Sequence, residues 1–223
     1  MQRLAAMAAL LVGTTASGWS AQIPMLEEPR HEQVLYIAHM RVFDVNVPPG
    51  DTTLDHVHDD DLATLTLGNA TTRTLQPGQD WSAPRVRERG HVAITEYTGT
   101  PAVHRVENVD TIPYRVLAIT NLRDDGWTTP APIAAPGTTL SQQSRAFSVY
   151  DVRLDAATAE TTHVHEVPTL AVLVSGMYEY RGDGGEVPFA VRDIGRWIVT
   201  RGGQHTLART GGNDAHIVEF EAR

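Results

Sequence analysis

From about residue 30 onward, short apolar runs alternate with Gly, Pro, Asn and Asp, and no stretch sustains the 3.6-residue spacing of an amphipathic helix. Strand-length runs recur at Gln33 to Asn46, Ala63 to Leu67, Val92 to Tyr97, Tyr114 to Asn121, Ser148 to Leu154, Leu170 to Tyr180, Arg196 to Thr200 and His216 to Glu221. Turn formers such as Val47-Pro48-Pro49-Gly50 and Arg181-Gly182-Asp183-Gly184-Gly185 stand between them. The pattern predicts an all-β chain of sandwich or barrel type. Near its middle, Arg123 to Gly137, with Asp124-Asp125-Gly126, Pro130, Pro132 and Pro136, reads as a linker.

The two halves repeat each other. Asp44-Val45-Asn46-Val47 recurs 107 positions later as Asp151-Val152-Arg153-Leu154, and His56-Val57-His58 recurs at the same offset as His163-Val164-His165. After one inserted residue, Leu62-Ala63-Thr64-Leu65 aligns with Leu170-Ala171-Val172-Leu173, and Gly68 with Gly176. At an offset of 101, His104 matches His205, and Arg115 to Ile119 matches His216 to Phe220. Two tandem copies of one β-unit account for all of these matches.

Composition narrows the chemistry. With 223 residues, 41% of them hydrophobic and 20% charged, the chain can bury a core. Its formal charge of -9 disfavours a phosphate-backbone partner, so nucleic-acid binding is set aside. The absence of cysteine excludes disulfides, thiolate-held metals and a cysteine nucleophile, leaving His, Asp and Glu as metal ligands. No Gly-x-Ser-x-Gly elbow, phosphate loop or dinucleotide fingerprint is present. Residues 1–21 combine Arg3, the apolar run Leu4 to Val12 and small residues up to Ala21, the layout of a cleaved secretory signal. That run is shorter than the roughly 20 residues of a membrane span, so a periplasmic or secreted protein with no span after cleavage is expected.

Residues i and i+2 of a strand share a face, so His56 with His58, and His163 with His165, each present two imidazoles side by side. Ten His in 223 residues give about 0.4 His-x-His pairs by chance, which makes one pair uninformative and two at the same repeat position informative. His104 and His205 follow turn-like segments and offer a third ligand to each pair. A divalent ion (Fe, Mn, Cu, Ni or Zn) is the expected cofactor.

This arrangement resembles the cupin superfamily, whose motifs are Gly-x5-His-x-His-x3-4-Glu-x6-Gly and Gly-x5-Pro-x-Gly-x2-His-x3-Asn. Gly50 to His58 fits the opening of the first motif, and Asp61, with six residues between it and Gly68, stands at the Glu position behind a shortened spacer. His104-Arg-Val-Glu-Asn108 keeps the end of the second motif. In the second half Thr169 occupies the Glu position, and Gly195 to His205 follows the second motif with Arg201 in place of Pro and one spacer residue fewer. The resemblance implies two tandem antiparallel cupin-type barrels of jelly-roll form: residues 1–21 as signal, 30–122 as first barrel, 123–140 as linker and 141–223 as second barrel. It implies metal ligation by His56, His58 and His104, joined by Asp61, and by His163, His165 and His205. The alternative for Asp59, Asp60 and Asp61 is a solvated acidic turn. Glu166 falls on the opposite strand face from His165.

Arg196 and Arg201, close to His205, are expected to hold a substrate carboxylate or else to be exposed, and Tyr178 and Trp197 to line a pocket or else to be core. Three functions are compatible with these residues. The first is a metal-dependent dioxygenase-type enzyme acting on a small organic acid, diketone or phenol; the second is a non-catalytic periplasmic small-molecule or metal binder; the third is an oxygen-independent lyase or isomerase. Acidic edges and an intrachain barrel pair are compatible with a monomer or a homo-oligomer.

Overall fold

The structure, a computed structural model, describes residues 21–123, 131–182 and 188–223. The expected signal segment up to residue 20 and the linker segment 124–130 lie outside the described residues. In the first half the strands are β1 (Ile23–Pro24), β2 (His31–Ile37), β3 (Met40–Val47), β4 (His56–His58), β5 (Asp61–Thr66), β6 (Ala70–Leu75), β7 (Arg85–Arg87), β8 (Val92–Thr95), β9 (Ala102–Asn108) and β10 (Tyr114–Asn121). In the second half they are β11 (Thr138–Gln143), β12 (Phe147–Leu154), β13 (Glu160–His165), β14 (Thr169–Ser175), β15 (Tyr178–Gly182), β16 (Phe189–Val191), β17 (Trp197–Thr200), β18 (Gly203–Arg209) and β19 (Ala215–Ala222). A 3-10 turn at Met25–Glu27 follows β1.

Each half is a pair of sheets, ordered β1-β4-β9-β6-β7 and β2-β3-β10-β5-β8 in the first, and β13-β18-β15-β16 and β11-β12-β19-β14-β17 in the second. All ladders are antiparallel except the two-residue β1–β4 pair. The duplication read from the sequence is visible in this order, since β4-β9 corresponds to β13-β18 and β3-β10-β5 to β12-β19-β14.

The sheets β2-β3-β10-β5-β8 and β11-β12-β19-β14-β17 share one apolar core. On β10, Leu117 and Ile119 join Phe147 and Val149 of β12 and Val218 and Phe220 of β19 in this cluster. Alternate residues of the same strands turn into their own halves: Val116 and Ala118 join Phe43 and Val45, while Ile217 joins Val152 and Leu173. Burial of both strand faces explains why these segments read as near-continuous apolar runs. Polar ties reinforce the junction, including His39 Nε2 with the Ala222 carbonyl at 2.9 Å and Gln142 Nε2 donating to the Val92 carbonyl at 2.9 Å.

The expected strand Leu170 to Tyr180 is two strands. Between them Gly176 has φ +77°, and a Cβ there would lie 2.2 Å from the Asp214 carbonyl oxygen, so the chain turns where only glycine fits. Likewise Gln33 to Asn46 folds back on itself through Ala38, at φ 53°. The expected linker ends early, because Thr138 to Leu140 pair with β12 as the start of β11.

Candidate metal centres

In each half the first histidine of the His-x-His strand lies opposite the third histidine on the neighbouring strand. His56 pairs with His104 between β4 and β9, and His163 with His205 between β13 and β18. A cross-strand pair plus the i+2 residue on the same face is a compact three-imidazole set. The ligand atoms of His56, His58 and His104 lie within 4.8 Å of one another, as do those of His163, His165, His205 and a fourth residue, Glu219.

In the first set, His58 Nε2 and His104 Nε2 face each other at 3.2 Å. The His56 Nδ1–H donates to the Leu54 carbonyl at 2.9 Å, which fixes that ring and leaves its Nε2 lone pair for a ligand role. Burial, with repulsion from the neighbouring imidazoles behind it, pushes His58 down to about 2 and His104 down to about 3, and lowers His56 mainly by burial. The three rings are therefore neutral, the state a metal needs. They stand in the wall of a cavity of about 190 Å³ in the first half, whose other walls include Val47, Tyr97, Val106 and Tyr114. His31 lines the same cavity and meets His56 edge to face, with ring centroids 4.7 Å apart.

The second set carries a carboxylate. Glu219, fully buried on β19, accepts from His163 Nε2 and His205 Nε2 at 2.9 Å each, and its Oε2 lies 3.4 Å from His165 Nε2. His165 Nδ1–H donates to Glu221 at 2.7 Å. Its buried Nε2 is left without a hydrogen-bond partner while pointing toward the Glu219 carboxylate. Such a nitrogen beside an anion fits a cation between them, and three imidazoles with one carboxylate match the donor preferences of divalent first-row metals. Burial lowers the His165 pKa, but Glu219 and Glu221 outweigh it and hold it up at about 9; burial likewise opposes the ionised form of Glu219, yet the three imidazoles keep that group well below the usual carboxylate range.

The expected first-half carboxylate is engaged elsewhere. Asp61 Oδ1 accepts from the Thr98 amide at 2.8 Å and from the Arg145 guanidinium at 3.1 Å, and Asp61 is outside the His56, His58, His104 group. Arg145 belongs to the second half, so the residue at the Glu position serves the junction between halves. Asp59 and Glu166 are exposed. Tyr178 is buried in the apolar core, its hydroxyl unpartnered, and burial followed by the Glu219 charge raises its pKa. Trp197 packs on the core shared by the halves. Arg196 and Arg201 are exposed; Arg201 lines a separate depression of about 290 Å³ beside Tyr180, the ring stacked on His205.

Glu219 and Glu221 were missed by motif spacing because they lie on another strand. Thr169 at the Glu position pairs with Glu221, and Ala171 with Glu219, so the adjacent strand presents its carboxylates to the place the motif would fill from β14. The signal was present in His216-Ile-Val-Glu219-Phe-Glu221: with Val218 and Phe220 on one face, strand alternation sends both carboxylates to the other.

Among family models and curated proteins, none matches the sequence. Solved structures do resemble it in fold. A salicylate 1,2-dioxygenase from Pseudaminobacter salicylatoxidans is 13% identical over 82% of this chain and 71% of its own, with a TM-score of 0.61. The oxalate decarboxylase of Lactobacillus farciminis, solved with formate, is 12% identical over 83% of this chain and 78% of its own, at a TM-score of 0.55. A cupin 2 conserved barrel domain protein from Leptotrichia buccalis is 11% identical over 86% and 87%, at 0.50. At these identities the likeness speaks for architecture alone, and with the duplicated antiparallel sheets and two imidazole sets in register, the chain has the cupin fold.

Proposed function

We propose that this chain is an exported, metal-dependent enzyme of dioxygenase type, acting on a small organic acid, diketone or phenol at the His56, His58, His104 centre. One observation carries the reading: three neutral imidazoles stand together in the wall of a cavity of about 190 Å³, the share of roughly six liquid waters. A divalent metal held there would supply Lewis acidity and positions for substrate and oxygen, undiminished by any ligand charge. The chain does the rest. The Leu54 carbonyl orients His56, burial keeps the rings deprotonated, and Val47, Val106, Tyr97 and Tyr114 limit water around a bound ligand. The carboxylate-bearing second set is read as a structural metal centre that ties β13, β18 and β19 together. The export reading rests on residues 1–21 of the sequence.

An oxygen-independent lyase is the second reading, favoured by the charged His163, His165, His205, Glu219 set, which would serve a reaction that needs no oxygen site. Both are tested on protein loaded separately with Fe(II), Mn(II), Ni(II) and Cu(II), offered pentane-2,4-dione, a flavonol, salicylate, oxalate and a thiol acid in an oxygen electrode with product analysis. The expected result is oxygen uptake with one substrate class, abolished in His58→Ala protein. Product without oxygen uptake would select the lyase. Absence of turnover with every metal would contradict both and leave a binding module.

A further inference from the structure

The cavity that holds the first histidine set contains one formally charged side chain, Arg87, and no Asp or Glu in its lining. Arg87 ends β7, at the edge of its sheet, and is half-buried. Its Nε donates to Thr72 Oγ1 at 3.0 Å, and it has no carboxylate partner among the described residues. Together with Thr74 it also lines an outer depression of about 250 Å³ that includes Gln79, Asp80 and Arg85, so it stands where the interior cavity meets the surface. Its charge is felt inside: behind burial and the neighbouring imidazoles it helps to lower His104, and it opposes the burial that raises Tyr114.

A half-buried guanidinium beside a neutral metal set is an electrostatic surplus in a chain whose net charge is -9. Without an acid in the walls, a cation in this place is matched best by an anion brought by the ligand. Guanidinium prefers a flat two-oxygen anion, which it can grip through its remaining N–H groups. Apart from Arg87 and the histidines, the lining carries no cationic side chain, so one carboxylate is matched at Arg87 and the rest of the ligand meets Tyr97, Tyr114, Val47 and Val106, which suit an apolar or aromatic body.

Resting on the reading of the first-half centre given above, we propose that Arg87 is the specificity residue of the cavity: it binds the carboxylate of a small monocarboxylic acid and thereby points the rest of that molecule at His56, His58 and His104. This narrows the substrate class from acids, diketones and phenols to compounds bearing one carboxylate, and it places in Arg87 the role that sequence proximity to His205 gave to Arg196 and Arg201.

The test compares benzoate with its neutral isostere benzamide by calorimetric titration of metal-loaded and metal-free protein, with metal content measured on every sample. Wild-type protein is expected to bind benzoate roughly tenfold to hundredfold more tightly than benzamide, as charge-assisted hydrogen bonds provide. Arg87→Gln should erase that preference and Arg87→Lys should keep part of it, both with wild-type metal content, which also reports that they fold. The preference should survive metal removal. The proposal is overturned if wild type shows no preference for benzoate, or if the preference persists in Arg87→Gln and vanishes with the metal, which would mean that the metal holds the carboxylate. An Arg87-dependent preference in protein whose first-half histidines bind no metal would instead leave this proposal standing and remove the enzyme reading on which it rests.

Discussion

Glu219→Gln is expected to strip the second-half centre of its metal and to destabilise the metal-free protein by about 3 kcal/mol. Glutamine keeps the length and shape of the side chain but removes the charge. The charge is what three imidazoles converge on, at 2.9 Å from His163 and His205 and 3.4 Å from His165. In the metal-free protein it holds the His165 proton; without it, His165 keeps only Glu221 and must lose that proton or remain a buried cation with half its support. In the metal-bound protein the anionic ligand itself is lost, so the fall in affinity should exceed the roughly tenfold to hundredfold seen when only an outer partner of a ligand is removed. Elemental analysis and urea midpoints check both parts. Unchanged metal content in a folded Glu219→Gln protein would show that the carboxylate is a hydrogen-bond acceptor for the histidines and not a ligand.

The metal-free protein should be most stable near neutral pH and lose stability on both sides, for opposite reasons in the two halves. His31, His58 and His104 have folded values of about 4, 2 and 3, below their unfolded value of about 6.5. As pH falls below 6.5 the unfolded chain takes up these protons first, so stability present above about 6.5 drains away toward the folded values, at about 2 kcal/mol per imidazole by pH 5. His165 is raised to about 9, so its contribution is complete below about 6.5 and is lost as pH rises through about 9, on the order of 3 kcal/mol in all. Metal binding replaces the His165 proton. The loaded protein should therefore lack the alkaline decline, and loading above pH 7 should release a proton detectable as a buffer-dependent heat. Thermal midpoints from pH 5 to 10, with and without metal, measure this directly. A metal-free protein equally stable at pH 7 and pH 10 would contradict the assignment of a proton to His165.

Much of this architecture was legible in the sequence because the duplication repeats chemistry and not only pattern. His-x-His at the same place in both halves, followed by His104 and His205 at one offset, placed six imidazoles that the ladders bring together as His56 opposite His104 and His163 opposite His205. What escaped was whatever depends on a neighbouring strand. Spacing assigned the acidic position of each half to Asp61 and Thr169, yet Asp61 is drawn away by Arg145 from the other half, and the carboxylate beside Thr169 comes from β19. β6, whose inward face is Ala70, Thr72 and Thr74, carries too little apolar alternation to be seen. Arg87 escaped for the same reason as Glu219: it lies on another strand, outside both histidine motifs, and only the closing of the sheets puts it in the cavity of His56, His58 and His104.

The two halves are expected to hold separate metals, the first-half set, without a carboxylate, being a metal centre in its own right. Elemental analysis of wild-type, His58→Ala and His163→Ala proteins after saturation and removal of loosely held ions tests it most directly. Two ions are expected per wild-type chain, matching the two side-chain groups, and one in each variant, with the ion retained by His58→Ala the harder to remove by chelator because Glu219 helps to hold it. A wild-type chain that holds a single ion, lost in His163→Ala and kept in His58→Ala, would contradict it and make the cavity-facing imidazoles a metal-free wall.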